Sequence, residues 1–459
     1  MERFDDVIIG AGQAGPFLAV KLAAAGRRVA VIEKRSLGGT CVNDGCIPTK
    51  TLVASARAAW VARNAATWGV EIEGPIRVDM AKVKARKDAI VGASVQGLES
   101  WLGGTANLEV IRGAARFVAP RTVEVAGRRL EAERVFLNTG GRVLVPRIPG
   151  LADVPFLTNT SMMDLDVVPP HLIVLGGSYI GLEFAQMYRR FGSEVTVIEK
   201  ADRLVPREDD DVSTELRALL EAEGLTLHTG AEATAVARRG DGVVVTVRRG
   251  DGAEVEVAGS HLLLAIGRVP NTDALGLDVA GVDLDARGYV VVDDELRTTA
   301  PGVWAMGDCN GRGAFTHTSY DDHQIVAANL LGGEARKVSS RIPIYGLYTD
   351  PPLGRCGMSE REARASGRPL LIGKRAMARV GRARERGETR GFIKIICDAD
   401  TRQILGAAIL GVEGDEAIHC VVDVMYCGAP YTVLMRAVHA HPTVAELIPT
   451  VLEEMQPAV

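Results

Sequence analysis

Residues 7–33, VIIGAGQAGPFLAVKLAAAGRRVAVIE, run from an apolar stretch through a glycine-rich turn and back to a second apolar stretch that ends on an acid. VIIG reads as a buried strand, PFLAVKLAAAG as a helix and RVAVIE as the next strand. Gly10, Gly12 and Gly15 have the GxGxxG spacing of a dinucleotide site. One glycine makes the tight turn, one lets backbone approach a pyrophosphate, and one lets the helix pack closely on the strand. Glu33, closing the second strand, is placed to accept hydrogen bonds from a ribose. Taken alone, the pattern also fits a strand-turn-helix unit that binds no phosphate.

The same pattern returns further along as LIVLGG, SYIGLEFAQMYRRFG and EVTVIE, residues 172–199. Gly176 and Gly181 occupy the outer glycine positions, Gly177 lies between them, and Ser178 replaces the middle glycine. That serine puts a side chain where backbone would meet a pyrophosphate, which predicts a looser grip on phosphate than in the first copy. Glu199 closes the second copy, and both copies span 23 residues from first glycine to acid. Two dinucleotides are implied. Two further strand-then-glycine endings, RVFLNTGGR with Thr139 and Gly140, and HLLLAIGRVPN with Gly267, mark places where the chain leaves one nucleotide domain for another. Boundaries near residues 150 and 270 follow. Beyond about residue 340, RIPIYGLYTD, GFIKIICDAD and QILGAAILG read as strands, while DEAIHCVVDVMYCG and TVLMRAVHA carry helical periodicity, so a third, mixed α+β domain is expected.

A chain of 459 residues exceeds a single ordinary core, and 47% hydrophobic with 24% charged residues is the balance of a globular protein. No stretch approaches the roughly 20 apolar residues of a membrane helix, and the net charge of −5 offers no overall basic footprint for nucleic acid. Met1 runs within a few residues into the first strand, which predicts a cytoplasmic enzyme. The acidic run Glu208 to Asp211 reads as a solvated helix start.

Seven cysteines in such a chain suggest catalysis rather than a disulfide scaffold. GGTCVNDGCIPTK, residues 38–50, holds Cys41 and Cys46, which could close a small redox ring or could be two core thiols. Cys309, Cys356, Cys397, Cys420 and Cys427 stand singly in apolar or strand-like surroundings and read as structural. No residues are assigned to a metal.

The cysteine segment, followed in order by TTAPGVWAMGDC (residues 298–309) and HAHPTVAE (residues 439–446), resembles the signatures of the FAD-dependent pyridine nucleotide-disulfide oxidoreductases. FTHTSYDDHQIV and YTDPPLG resemble its mercuric-reductase-like subgroup. The resemblance covers nearly the whole chain. It implies an α/β fold of two Rossmann-like dinucleotide-binding domains and a C-terminal α+β dimerisation domain. FAD would be bound by residues 1–150 and 271–338, the nicotinamide by 151–270, and the dimer interface would be formed by 339–459.

The family also implies roles. Cys46 would be the thiolate at the flavin and Cys41 the sulfur that exchanges with substrate, with Lys50 beside flavin N5 in an ion pair with Glu183. Asp308 would bind the ribityl chain, with Gly39, Thr40, Thr139, Gly140 and the segment Ala314 to His317 near FAD. His441 would move protons for the exchanging thiol, oriented by Glu446 and delivered from the partner subunit of a homodimer, while His439 would be structural. Glu199 at the nicotinamide ribose favours NADH, with NADPH possible. The acceptor is expected to be a small molecule, foremost a low-molecular-weight disulfide. A metal ion, quinone or oxidant, or service as the dihydrolipoamide dehydrogenase subunit of a larger complex, are the alternatives.

Overall fold

A computed structural model describes residues 1–458. Its first sheet has seven strands. Leu108–Arg112, Val29–Glu33, Glu2–Ile9 and Arg128–Leu137 run parallel in that order. Val303–Ala305, arriving from much later in the chain, adds in parallel to the end of Arg128–Leu137. The inner strands are apolar throughout, as a parallel sheet covered on both faces requires. Helix Gly15–Ala24 buries Leu18, Ala19 and Leu22 against this sheet.

A second parallel sheet of four strands, Thr226–His228, Glu194–Ile198, His171–Leu175 and His261–Leu264, carries the second glycine turn and helix Tyr179–Phe191. A three-stranded antiparallel meander over residues 231–259 packs beside it. The third sheet is antiparallel with six strands: Ile344–Leu347, Leu353–Gly357, Ile404–Leu410, Phe392–Asp398, Leu370–Ala376 and Gln456–Pro457. The short strands Gly141–Val143 and Arg268–Pro270 pair with each other, so the two connections between the nucleotide modules are stitched together.

The two nucleotide turns are superimposable in their physics. Gly10 N–H donates to Ile32 O at 2.8 Å and Gly176 N–H to Ile198 O at 2.9 Å. A Cβ on Gly10 would lie 2.2 Å from Asn138 O, and one on Gly176 would lie 2.4 Å from Ala265 O. Gly15 and Gly181 approach the carbonyls of Gly10 and Gly176 so closely that a Cβ would sit 2.3 Å and 2.0 Å from them. Any side chain there pushes helix and strand apart.

Two sequence expectations need correction. The acidic run does start a helix, Asp210–Ala222, and Asp210 is exposed, but Glu208 is fully buried and Asp209 nearly so, because the C-terminal sheet packs on them with its own cations. Helical structure in TVLMRAVHA stops at Met435, and residues 437–440 run on without regular structure.

Candidate active site

The redox segment is built on two helices. Cys41 lies in the short helix Gly39–Asn43, and Cys46 is the first residue of helix Cys46–Arg63. Between them the loop is fixed from both sides. Asn43 Nδ2 donates to Leu37 O (2.9 Å) and Gly39 O (2.8 Å), and Asp44 accepts Thr160 Oγ1 at 2.7 Å on its carboxylate and Asn159 Nδ2 at 2.9 Å on its carbonyl.

Both thiols are free, Cys41 half-buried and Cys46 exposed. Cys46 Sγ lies 3.1 Å from Thr316 Oγ1, a residue 270 positions later. The hydrogen bond between the two thiols polarises them in opposite directions. Cys46 is lowered to about 6, chiefly by that bond, against the opposing effect of burial and with help from Thr316 and the Lys50 charge. Cys41 is pushed far above the ordinary thiol range by the same bond and by burial. Its place at the start of an 18-residue helix also favours Cys46 as thiolate.

Lys50 stands one turn after Cys46 on the same helix, so both face one side. Lys50 Nζ meets Glu183 Oε2 at 2.6 Å, across 133 residues of sequence. Glu183 Oε1 also accepts Tyr348 N–H at 3.0 Å, and the Tyr348 ring lies 4.4 Å from Lys50 Nζ.

The residues around the first glycine turn fit an FAD. The turn is held open by Asn138, whose Oδ1 accepts Gly15 N–H at 3.0 Å and whose Nδ2 donates to Met306 O at 3.1 Å. Thr139 Oγ1 is buried without a protein partner, as expected of a hydroxyl facing a polar ligand. Asp308 has its carboxyl raised by burial, with the Arg268 charge opposing. Gly39 meets Gly12 so closely that a Cβ would lie 2.8 Å from Gly12 Cα, and the adjoining Thr40 is exposed. Gly140 takes a left-handed conformation, φ 64°, and its carbonyl accepts Asn271 N–H. Ala314 and His317 flank Thr316 and Phe315, with His317 Nε2 donating to Ile344 O at 2.5 Å.

Glu33 and Glu199 act alike. Glu33 accepts Ala11 N–H (2.9 Å) and Arg35 N–H (2.7 Å), while Glu199 accepts Gly177 N–H (2.6 Å) and Ala201 N–H (2.7 Å). Each acid therefore locks its own turn. Ser178 caps no helix N–H, and Gly267 has a positive φ of 142°.

His441 and Glu446 form a pair apart from the cysteines. Nδ1 of His441 lies 2.9 Å from Glu446 Oε2, the bond to Pro442 is cis, and the imidazole is 79% exposed. Among the described residues no hydrogen bond or ion pair joins this pair to either thiol of the same protomer. His439 is half-buried with Nδ1 unpartnered. Cys309, Cys356 and Cys397 are buried, with thiols raised to about 11, 12 and 12 by burial. Cys420 is half-buried, and Cys427, against the expectation of an apolar setting, is exposed.

The pyridine nucleotide-disulphide oxidoreductase profile matches residues 4–322, and that family's dimerisation domain matches residues 344–452. This chain belongs to that family. It is an oxidoreductase acting on sulfur groups, with FAD and a nicotinamide nucleotide as its cofactors. The probable pyridine nucleotide-disulfide oxidoreductase RclA of Escherichia coli is 37% identical over 454 residues, covering 97% of this chain and 98% of that protein. The solved structure described as the HOCl-induced flavoprotein disulfide reductase RclA has a TM-score of 0.90 at 37% identity, covering 98% of this chain and 99% of that one. RclA has also been solved as a Cu(II) complex. The dihydrolipoyl dehydrogenase of Thermus scotoductus is 34% identical, covering 97% of this chain and 96% of that enzyme. The match to the family's dimerisation domain supports a homodimer, and no helix among the described residues is long and apolar enough to cross a membrane.

Asn138 and Tyr348 escaped the sequence reading, and Thr316 was reached only as part of the segment Ala314 to His317, without its contact to Cys46. Asn138 had a signal, a polar residue directly after an apolar strand in LNTGG. Tyr348 had none, since only packing brings it to Lys50.

Proposed function

We propose that this enzyme draws electrons from NADH and passes them through FAD and the Cys41–Cys46 pair to a low-molecular-weight disulfide. The observation that carries this reading is the polarised thiol pair, with Cys46 low and bonded to Thr316 and Cys41 high and half-buried. In this reading residues 1–150 and 271–338 hold FAD, 151–270 the nicotinamide nucleotide, and 339–459 the interface.

Bound FAD supplies the two-electron relay between nicotinamide and sulfur. Cys46 is held ready as the thiolate by the helix start, Thr316 and Lys50. Cys41 retains its proton and needs a base to attack. His441 from the partner subunit, with Nδ1 held by Glu446, takes that proton at Nε2. The Cys41 thiolate attacks one acceptor sulfur and forms a mixed disulfide, and the departing thiolate collects the proton from His441. Cys46 then attacks the Cys41 sulfur of the mixed disulfide and displaces the second half of the acceptor as a thiolate, which takes its proton from solvent, leaving Cys41–Cys46 oxidised.

A second reading, reduction of Cu(II), is favoured by the copper complex of RclA. Against it, no group of three or more His, Cys, Asp or Glu side chains among the described residues could hold a metal. The test is to reduce the enzyme anaerobically with one equivalent of NADH and mix it with cystine, glutathione disulfide, a quinone, Cu(II) or Hg(II) in excess thiol. Fastest reoxidation by a disulfide supports the first reading, and fastest reoxidation by Cu(II), Hg(II) or a quinone replaces it.

A further inference from the structure

Tyr348 stands where the three modules meet. It follows strand Ile344–Leu347 of the C-terminal sheet, while Lys50 comes from the first nucleotide module and Glu183 from the second. It grips both members of their ion pair by different means, backbone N–H to Glu183 at 3.0 Å and ring face to Lys50 Nζ at 4.4 Å. The backbone bond exists for any residue at 348, whereas the ring contact needs an aromatic. The ring lies over Gly346, where a Cβ would come within 3.1 Å of it, so a bare glycine seats the ring.

Several groups bear on Cys46. Cys41 and Thr316 hydrogen-bond to it, Lys50 attracts its thiolate and Glu183 opposes it. The Asp415 and Glu416 charges, on helix Gly414–Tyr426, are felt at the Tyr348 hydroxyl. Glu183 on its own would draw the ammonium toward itself and cancel its charge. An aromatic face attracts a cation without adding a net charge, so the ammonium is held in place without its charge being offset.

We propose that Tyr348 is a positioning residue, its ring holding the Lys50 ammonium where it stabilises the Cys46 thiolate. The proposal rests on the reading of Cys46 as the redox thiolate. Alkylation requires no acceptor, so a wrong acceptor assignment leaves the test untouched, and a Cys46 that alkylates only in the ordinary thiol range with Tyr348 intact, in the Cys41→Ser background whose hydroxyl can still donate to it, counts against the redox reading before any Tyr348 variant is compared.

The experiment measures the pH dependence of iodoacetamide labelling at Cys46 by peptide mass spectrometry, in FAD-loaded enzyme carrying Cys41→Ser. Tyr348→Phe keeps the midpoint. Tyr348→Leu raises it by about half a pH unit, about threefold less thiolate near neutrality. A Leu variant with the unshifted midpoint, or a Phe variant shifted as far as Leu, overturns the proposal. If the Leu variant does not fold, phenylalanines carrying increasing numbers of fluorines at 348 keep the ring's shape and weaken its negative face. A midpoint rising along that series supports the proposal, and a flat series overturns it.

Discussion

Glu446 Oε2 lies 2.9 Å from His441 Nδ1, which leaves Nε2 as the nitrogen free to exchange protons. Glu446→Gln keeps a hydrogen-bonding side chain and removes the charge that supports an imidazolium. Reoxidation of the NADH-reduced enzyme by a disulfide slows about 10- to 100-fold, while reduction by NADH keeps its rate. Stopped-flow measurement of the two half-reactions checks this, and an equal loss in both contradicts the assignment.

The split between the thiols sets a pH dependence. Cys46, lowered to about 6, is a thiolate above that pH and loses the charge as pH falls through it. Cys41, raised, stays protonated across neutrality. The flavin charge-transfer absorbance carried by the Cys46 thiolate therefore fades as pH falls through about 6, and it is abolished by Cys46→Ser but not by Cys41→Ser. A band that survives Cys46→Ser reverses the assignment.

A carboxylate at Glu199, already holding Gly177 and Ala201 N–H, repels a 2′-phosphate. kcat/KM for NADH exceeds that for NADPH by about tenfold or more, and Glu199→Gln narrows the gap. Equal values for the wild type disprove the preference.

Glu208 and Arg355 tie the second nucleotide module to the C-terminal sheet, Oε2 to Nε at 3.4 Å, both essentially without exposure. Tyr179 and Tyr345 also donate to Glu208, at 2.8 Å and 2.7 Å. Arg355→Met strands a buried carboxylate and destabilises by about 3–5 kcal/mol, while Arg355→Met with Glu208→Leu recovers much of the loss. Denaturant titration of both variants decides it, and a double variant as unstable as the single one argues against a charge effect.

Sharing of sites between subunits predicts complementation. Inactive Cys41→Ser and inactive His441→Ala subunits, dissociated and re-associated together, regain part of the activity as heterodimers. Assembled mixtures that stay inactive place each site within one subunit.

Sequence alone determined what depends on neighbouring backbone. Gly10, Gly15, Gly176 and Gly181 are demanded by contacts that leave no room for a Cβ, and such demands repeat at fixed spacing, so both nucleotide turns were legible. The Cys41–Cys46 and His441–Glu446 pairs, each six residues from end to end, were legible through their resemblance to family signatures. Only the tertiary structure decided which distant groups share a boundary. Lys50 and Glu183 are 133 residues apart, Cys46 and Thr316 are 270 apart, and Tyr348 reaches the ion pair from a third module. Glu208 to Asp211 read as a solvated run because charge normally stays in water. Its burial depends on Arg355 and Lys394, two cations on strands of a different sheet, and local spacing carries no trace of a partner that folding alone brings into contact.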